Sequence, residues 1–129
     1  LPNSVKSRLT VENDDKATMY SVVDLYEGVY KVIGIPIVFD YHHHRFNTGG
    51  LTEEDALEVA ISTWVDIVPV VHYSESRNIE QEDDKIRPQA HSDYVYDYID
   101  TYGNEVDIMV EAKAKELAVL KYKEIHEVV

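Results

Sequence analysis

Carboxylates and imidazoles recur in this sequence where apolar runs stop. The clearest case is Ile35-Pro36-Ile37-Val38-Phe39-Asp40-Tyr41-His42-His43-His44. Residues 35–39 are mostly branched or aromatic and read as a buried strand, because such side chains suit a pleat covered on both faces. The run then stops at an acid and three histidines, which offer O and N ligands to a divalent metal. Asp40 and His43 stand three apart, so a single turn after the strand could aim both at one point. The same form returns elsewhere. Glu12 follows a strand at 7–11, His72 one at 67–71, and Glu111 one at 106–110.

These ligands need strands that all point one way, and the rest of the chain supplies the pattern for that. Glu12-Asn13-Asp14-Asp15 is a polar turn, with Asp14 or Asp15 as a helix cap. Met19, Val22, Val23, Leu25, Tyr26, Val29 and Tyr30 have helical spacing within residues 18–31. Gly34 ends that unit. Arg45-Phe46-Asn47-Thr48-Gly49-Gly50 reads as a glycine-rich loop. Thr52 then caps a helix with Asp55 as its acidic partner, and Ala56, Leu57, Val59, Ala60, Ile61 and Trp64 form its apolar side, with Trp64 in the core.

Pro69 cannot donate a ladder bond, so the third strand is bent or irregular there. Residues 72–88 read as a long loop whose acidic middle, Glu80-Gln81-Glu82-Asp83-Asp84, is mobile. Ala90-His91-Ser92-Asp93 leads to a short helix at 94–101, Gly103-Asn104 is a turn, and 113–128 is a closing helix rich in Ala, Lys, Glu and Leu.

Four strand–helix units predict a parallel sheet with right-handed crossovers and helices outside. Strand starts about 30 to 40 residues apart match the unit of a (β/α)₈ barrel. Four units make half of one, and a small open sheet is the plainer alternative. In either, Glu12, Asp40, His72 and Glu111 reach the C-terminal edge of the sheet together, where active sites of such folds lie. Taken singly, an acid after a strand is more often a helix cap or a solvated turn. The joint occurrence at four successive strand ends is what points to metal. Uncompensated, the acids would raise one another's pKa, and divalent ions remove that conflict. His43 and His91 lie on the same loops and could add ligands.

At 129 residues with 44% apolar content, the chain fits one domain, residues 1–129. No apolar run approaches the roughly 20 residues of a membrane span, and no signal peptide is apparent. There is no cysteine, hence no disulfide framework and no thiolate site. A net charge of −13 repels nucleic acid unless metals and a local basic patch reverse the field. The chain begins at Leu1, which reads as a piece of a longer polypeptide or a processed product.

Several blocks occur in order: Val11-Glu12-Asn13-Asp14-Asp15, Phe39-Asp40-Tyr41-His42-His43-His44-Arg45, Asn47-Thr48-Gly49-Gly50-Leu51, His72-Tyr73-Ser74-Glu75, His91-Ser92-Asp93-Tyr94 and Glu111-Ala112-Lys113-Ala114-Lys115-Glu116. Together they resemble the C-terminal half of the UV damage endonuclease family, over essentially the whole chain. The resemblance implies a TIM barrel of which this chain holds about the last four units. It also implies a cluster of divalent metals, usually manganese, with zinc and magnesium as alternatives. It implies incision of damaged double-stranded DNA on the 5′ side of UV photoproducts and other lesions, by metal-activated water. Glu12 would bridge two metals, and Asp40, His43, His72, His91 and Glu111 would be the other ligands. Glu12, Asp40, His72 and Glu111 form the implied catalytic set.

In the family, two further histidine ligands and the lesion-probing residues lie in the N-terminal half, which is not in this sequence. Where some members carry a lysine ligand, this chain has Val70. The alternative function is a catalytically incomplete half-barrel that binds metal or a partner chain. A sugar-isomerase-like barrel shares the plan of metals at strand ends. Expected partners are DNA and a missing N-terminal half, or self-association through exposed sheet edges, with no membrane. The expected location is cytoplasmic and nucleoid-associated, or nuclear in a eukaryote.

Tyr41, Phe46 and Tyr73 could stack on nucleotides or pack against the rim. Arg45, Arg77 and Arg87 could hold phosphates or pair with nearby acids. Lys113 could reach the site, Lys115 reads as helix surface, and His126 reads as exposed.

Overall fold

Four short apolar runs set the sheet: β1 (Val11–Glu12), β2 (Ile37–Asp40), β3 (Val70–Tyr73) and β4 (Asp107–Val110). They lie side by side in chain order, and every neighbouring pair is parallel. The computed structural model describes residues 3–16 and 19–128. Parallel neighbours need long crossovers, and helices supply them. α1 (Asn3–Lys6) precedes β1, and α2 (Val22–Leu25) runs through a π turn, Tyr26–Tyr30, into α3 (Lys31–Ile33). α4 (Tyr41–Phe46) and α5 (Glu53–Ser62) follow β2, α6 (Arg77–Gln81) follows β3, and α7 (Glu116–His126) follows β4. The expected α/β alternation with an all-parallel sheet is present.

One face of the sheet holds the core. Ile37, Phe39, Val71 and Tyr73 are buried against Val22, Leu25, Ala56, Leu57 and Ala60 of the helices. Val95 and Ile99 join them from the segment before β4. The other face is less covered. On β4, Met109 is 54% exposed.

Local chemistry moved several boundaries. The strand expected at 7–11 shrinks to Val11–Glu12. Thr18 lies outside the described residues, and the helix expected from it begins at Val22. Ser21, not Asp14 or Asp15, caps it: its hydroxyl accepts from the Asp24 N–H, and the Asp24 carboxylate accepts from the Ser21 N–H. Gly34 ends α3 at φ +72°, as expected.

Arg45 and Phe46 are helical and not in a loop, because Asp40 caps α4 immediately after β2. Thr52 caps α5 as expected, accepting from the Asp55 N–H. Trp64 lies beyond α5, half-buried, and donates its indole N–H to the Ile37 carbonyl at 2.8 Å. It seals the start of β2 and is not a core residue. β3 begins only at Val70, leaving Ile67 and Val68 exposed; the Pro69 carbonyl still accepts from the Asp107 N–H.

The segment between β3 and β4 departs most. Residues 94–101 form no helix. Two carboxylates hold them instead. Glu80 accepts from the N–H groups of Asp93 and Tyr94 and from the Tyr96 hydroxyl. Glu75 accepts from the N–H groups of Tyr96 and Asp97 and from the Tyr73 hydroxyl. Glu80, expected in a mobile stretch, is therefore an anchor at the end of α6. The closing helix starts at Glu116, not Lys113. His126 is half-buried between the Tyr98 and Tyr122 rings, with Nε2 at 2.8 Å from the Tyr96 carbonyl, and is not simply exposed.

Gly49 and Gly50 both have positive φ, but only Gly49 is crowded. A Cβ there would lie 2.5 Å from Ser21 Oγ, the cap of α2, while one at Gly50 would meet open space. Gly49→Ala is expected to cost roughly 2–3 kcal/mol, from backbone strain and the displaced cap. Gly50→Ala should cost only about 1 kcal/mol, from strain alone. Urea denaturation of both variants measures the difference, and equal losses would contradict this packing.

Candidate metal centre

Strand alternation explains how distant residues meet. Residues paired across a parallel ladder share a face, and positions two apart on a strand share it too. Glu12 pairs with Val38, two before Asp40; Asp40 pairs with His72; His72 pairs with Met109, two before Glu111. All four therefore project from the face opposite the helices. Glu12 and Asp40 end their strands, His72 lies within β3, and Glu111 directly follows β4. The expected convergence is present.

Glu12, Asp40 and His43 bring one ligand atom each within 4.8 Å of one another, and so do Asp40, His72 and Glu111. Asp40 belongs to both groups. His72 Nδ1 lies 2.9 Å from Glu12 Oε2 and 3.4 Å from Glu111 Oε1. Asp40 divides its two oxygens. Oδ1 accepts the His43 N–H at 2.9 Å and so starts α4. Oδ2 is buried, 3.5 Å from His43 Nδ1, with no hydrogen-bond partner. His72 Nδ1 is likewise buried and unpartnered: Glu12 is near enough, but out of line for a hydrogen bond. His43 Nδ1 sits 2.7 Å from the Asn13 carbonyl. A carbonyl only accepts, so in the neutral ring Nδ1 carries the proton and Nε2 keeps the lone pair.

The charges are poised for a cation. Burial pushes the Asp40 carboxyl up to about 6, with Glu111 and Glu12 adding to the rise against the His43 N–H. The Glu12 carboxyl is held below its ordinary value by His72, against its partial burial. His72 is raised by Glu12, against burial, with Glu111 assisting. At His43 burial opposes the proton, but the Asp40 charge and the Asn13 carbonyl outweigh it and raise the value. An unpartnered buried polar atom costs about 1–3 kcal/mol. A divalent ion would satisfy Asp40 Oδ2 and His72 Nδ1 together. Three carboxylates and two imidazoles suit manganese, magnesium or zinc. The residues present fit a metal.

Of the six expected ligands, His91 stands apart from both groups. Its backbone bridges Ser76, and its ring meets the buried His42 ring edge-on at 5.8 Å. His42 and His44 are buried, and burial lowers both pKa values. Tyr41 and Tyr73 are core residues and offer no face for stacking, while Phe46 packs edge-on against His42. Arg77 pairs with Asp93, and Arg45 lies over the Tyr73 ring and 4.0 Å from Glu53. Lys113, Lys115 and Arg87 are exposed.

In the sequence Asn13 reads only as part of a polar turn, yet it is fully buried. Its Oδ1 accepts the Asp40 N–H at 2.8 Å and its Nδ2 donates to the Asp40 carbonyl at 3.0 Å. Its position directly after Glu12 was the available signal. A cavity of about 940 Å³ lies at the opposite rim beside Arg8, Tyr30, Pro36 and Trp64, away from these candidate ligands.

The chain as a whole has counterparts. A curated UV DNA damage endonuclease of Bacillus cereus (strain Q1) is 36% identical over 98% of this chain and 40% of its own length. One from Bacillus pumilus (strain SAFR-032) is 38% identical over 96% of this chain and 39% of its own length. The crystal structure of SacUVDE superposes with a TM-score of 0.77 at 32% identity, covering 98% of this chain and 42% of that one. The chain thus spans about two-fifths of the length of the curated relatives it matches. The family model described as UV-endonuclease UvdE matches residues 1–128, and the chain belongs to that family.

Proposed function

We propose that this chain carries the metal-binding half of a DNA repair endonuclease that cuts the backbone 5′ to UV photoproducts and other lesions. The observation that supports this most is the convergence of Glu12, Asp40, His43, His72 and Glu111 on one sheet face, with Asp40 shared between two ligand groups. Bound divalent ions, manganese first, would supply the positive charge that polarises a phosphodiester and makes a water nucleophilic at neutral pH.

The chain's own residues have separate tasks in this reading. Asp40 presents Oδ2 from a position locked by the start of α4. Glu12 and Glu111 flank the His72 ring and would share a cation with it. His91, on the loop secured to Ser76, joins the ligand set when metal and the rest of the site are in place. That role rests on its loop position and on the family resemblance. In this reading the sheet is part of a (β/α)₈ barrel. The ligands stagger by two register positions from β1 to β2 and again from β3 to β4, as expected where strands tilt around a barrel. Damaged duplex DNA is the substrate. No helix among the described residues is long and apolar enough to cross a membrane.

The direct assay is nicking of UV-irradiated duplex with Mn²⁺, by the chain alone and by the chain mixed with the unmatched part of a curated relative. Incision 5′ to the lesion is expected in at least the mixture, and loss of most of it in Glu12→Gln. No nicking in either, or equal nicking of undamaged duplex, would end the reading. Metal binding without incision in either would favour the catalytically incomplete half-barrel.

Asp40 gives a second test. Its folded value, near 6, exceeds the ordinary 3.8, so the folded state holds the proton more tightly. The carboxyl therefore costs nothing below about pH 4, and stability falls as pH rises from about 4 to 6. Asp40→Asn keeps a capping oxygen and removes the buried charge. Without metal, melting curves should match near pH 4 and favour Asp40→Asn by on the order of 2 kcal/mol at pH 7. Added Mn²⁺ should raise the melting temperature of the wild type and not of Asp40→Asn; equal rises would refute the ligand role.

Two edge strands bound this sheet, and β4 exposes Ile108 and Met109. Unpaired parallel edges recruit other strands. Light scattering should show concentration-dependent association of the isolated chain, relieved by the unmatched part of a relative. A monomer at high concentration would count against it.

A further inference from the structure

We infer that Asn13 is a positioning residue for the metal centre, setting three ligands at once. The inference rests on the metal-centre reading given above. β1 pairs with β2 only through Val11 and Glu12. The ladder ends there, one residue short of the turn, and the Asn13 side chain continues it. Its carboxamide both accepts from the Asp40 N–H, at 2.8 Å, and donates to the Asp40 carbonyl, at 3.0 Å. These two bonds fix the backbone of Asp40 in both directions, and hence the aim of its carboxylate. The main-chain carbonyl of the same residue lies 2.7 Å from His43 Nδ1. That contact orients the His43 ring and assigns its proton to Nδ1, leaving Nε2 able to bind a cation. Glu12 is the preceding residue, so it is tied to the same point.

Each alternative to this role meets a contrary observation. Asn13 is fully buried, so it does not touch substrate. Both ends of its amide are bonded to Asp40, so it is not itself a free ligand. The side chain bonds only the backbone of a candidate ligand, Asp40, while the main-chain carbonyl beside it meets the ring of another, His43. Outer partners of this kind orient metal ligands in many sites, and their loss typically weakens metal binding about 10- to 100-fold.

The test uses Mn²⁺ alone as probe, with the 129-residue chain and its Asn13→Ala variant. Both are titrated well below their own melting temperatures, with folding checked by circular dichroism. A structural role alone would lower the melting temperature and leave the Mn²⁺ affinity of the folded chain unchanged. The positioning role predicts about 10- to 100-fold weaker Mn²⁺ binding by the folded variant. It also predicts that nitrogen NMR of the metal-free wild type at alkaline pH shows the Nδ1–H form of His43. Wild-type affinity in folded Asn13→Ala, or an Nε2–H form in the wild type, would overturn the inference. Should Asn13→Ala fail to fold, Asn13→Asp, which keeps the acceptor for the Asp40 N–H and loses the donor to its carbonyl, is titrated in its place, with the same weakening expected and unchanged affinity overturning the inference. Failure of the wild type to bind Mn²⁺ would instead refute the metal-centre reading, while leaving the His43 result intact.

Discussion

One buried carboxylate organises this molecule. Asp40 is 1% exposed at the end of a strand covered on both faces. Its first oxygen starts the helix that carries His43, and its second is left without a hydrogen bond. Such a group is stable only if a cation or a proton completes it. The neighbours sharpen that demand, because Glu12 and Glu111 add negative charge beside it. Fold and site are therefore the same problem here: the strand end, the helix start and the candidate ligand are one residue.

The two faces of the sheet divide the labour. Ile37, Phe39, Val71 and Tyr73 face the helices and supply the apolar burial that holds the strands. Glu12, Asp40, His72 and Glu111 face the other way, where Met109 is still largely open to solvent. Parallel sheets are usually covered on both sides. Here β2 is buried on both sides, and the exposed positions lie on the edge strands β1 and β4. The charge of −13 takes on a local meaning as well. Part of it sits where cations would neutralise it, and two more acids, Glu75 and Glu80, serve as acceptors for backbone N–H groups.

Strand order, the parallel sheet and the meeting of five candidate ligands were legible in the sequence because they follow from alternation and from abrupt ends of apolar runs. What escaped depends on contacts between distant segments. Residues 94–101 have apolar spacing like a helix, yet Glu75 and Glu80 capture the N–H groups of Tyr94, Tyr96 and Asp97, and the Tyr122 hydroxyl takes that of Ile99. Trp64 has the size and spacing of a core residue, but its indole finds the Ile37 carbonyl at the strand's start. Tyr41 and Tyr73 looked available as rim aromatics because chain position does not reveal burial depth. His91 is a candidate by its loop and by resemblance, and its ring meets that of His42 edge-on, a contact the sequence does not reveal. Asn13 carries no chemistry of its own and is informative only once Asp40 and His43 are seen around it.

The register of β3 also limits how such a chain can change length. Asp40 pairs with His72, and Tyr73 beside it points to the helices. Adding or deleting one residue inside β3 would exchange their sides, delivering a phenol to the ligand cluster and an imidazole to the apolar interior. Drift in length is thus confined to connections such as the segment between β3 and β4, where carboxylate-to-backbone bonds can be rebuilt around a longer or shorter path. The ends of the strands can tolerate almost none.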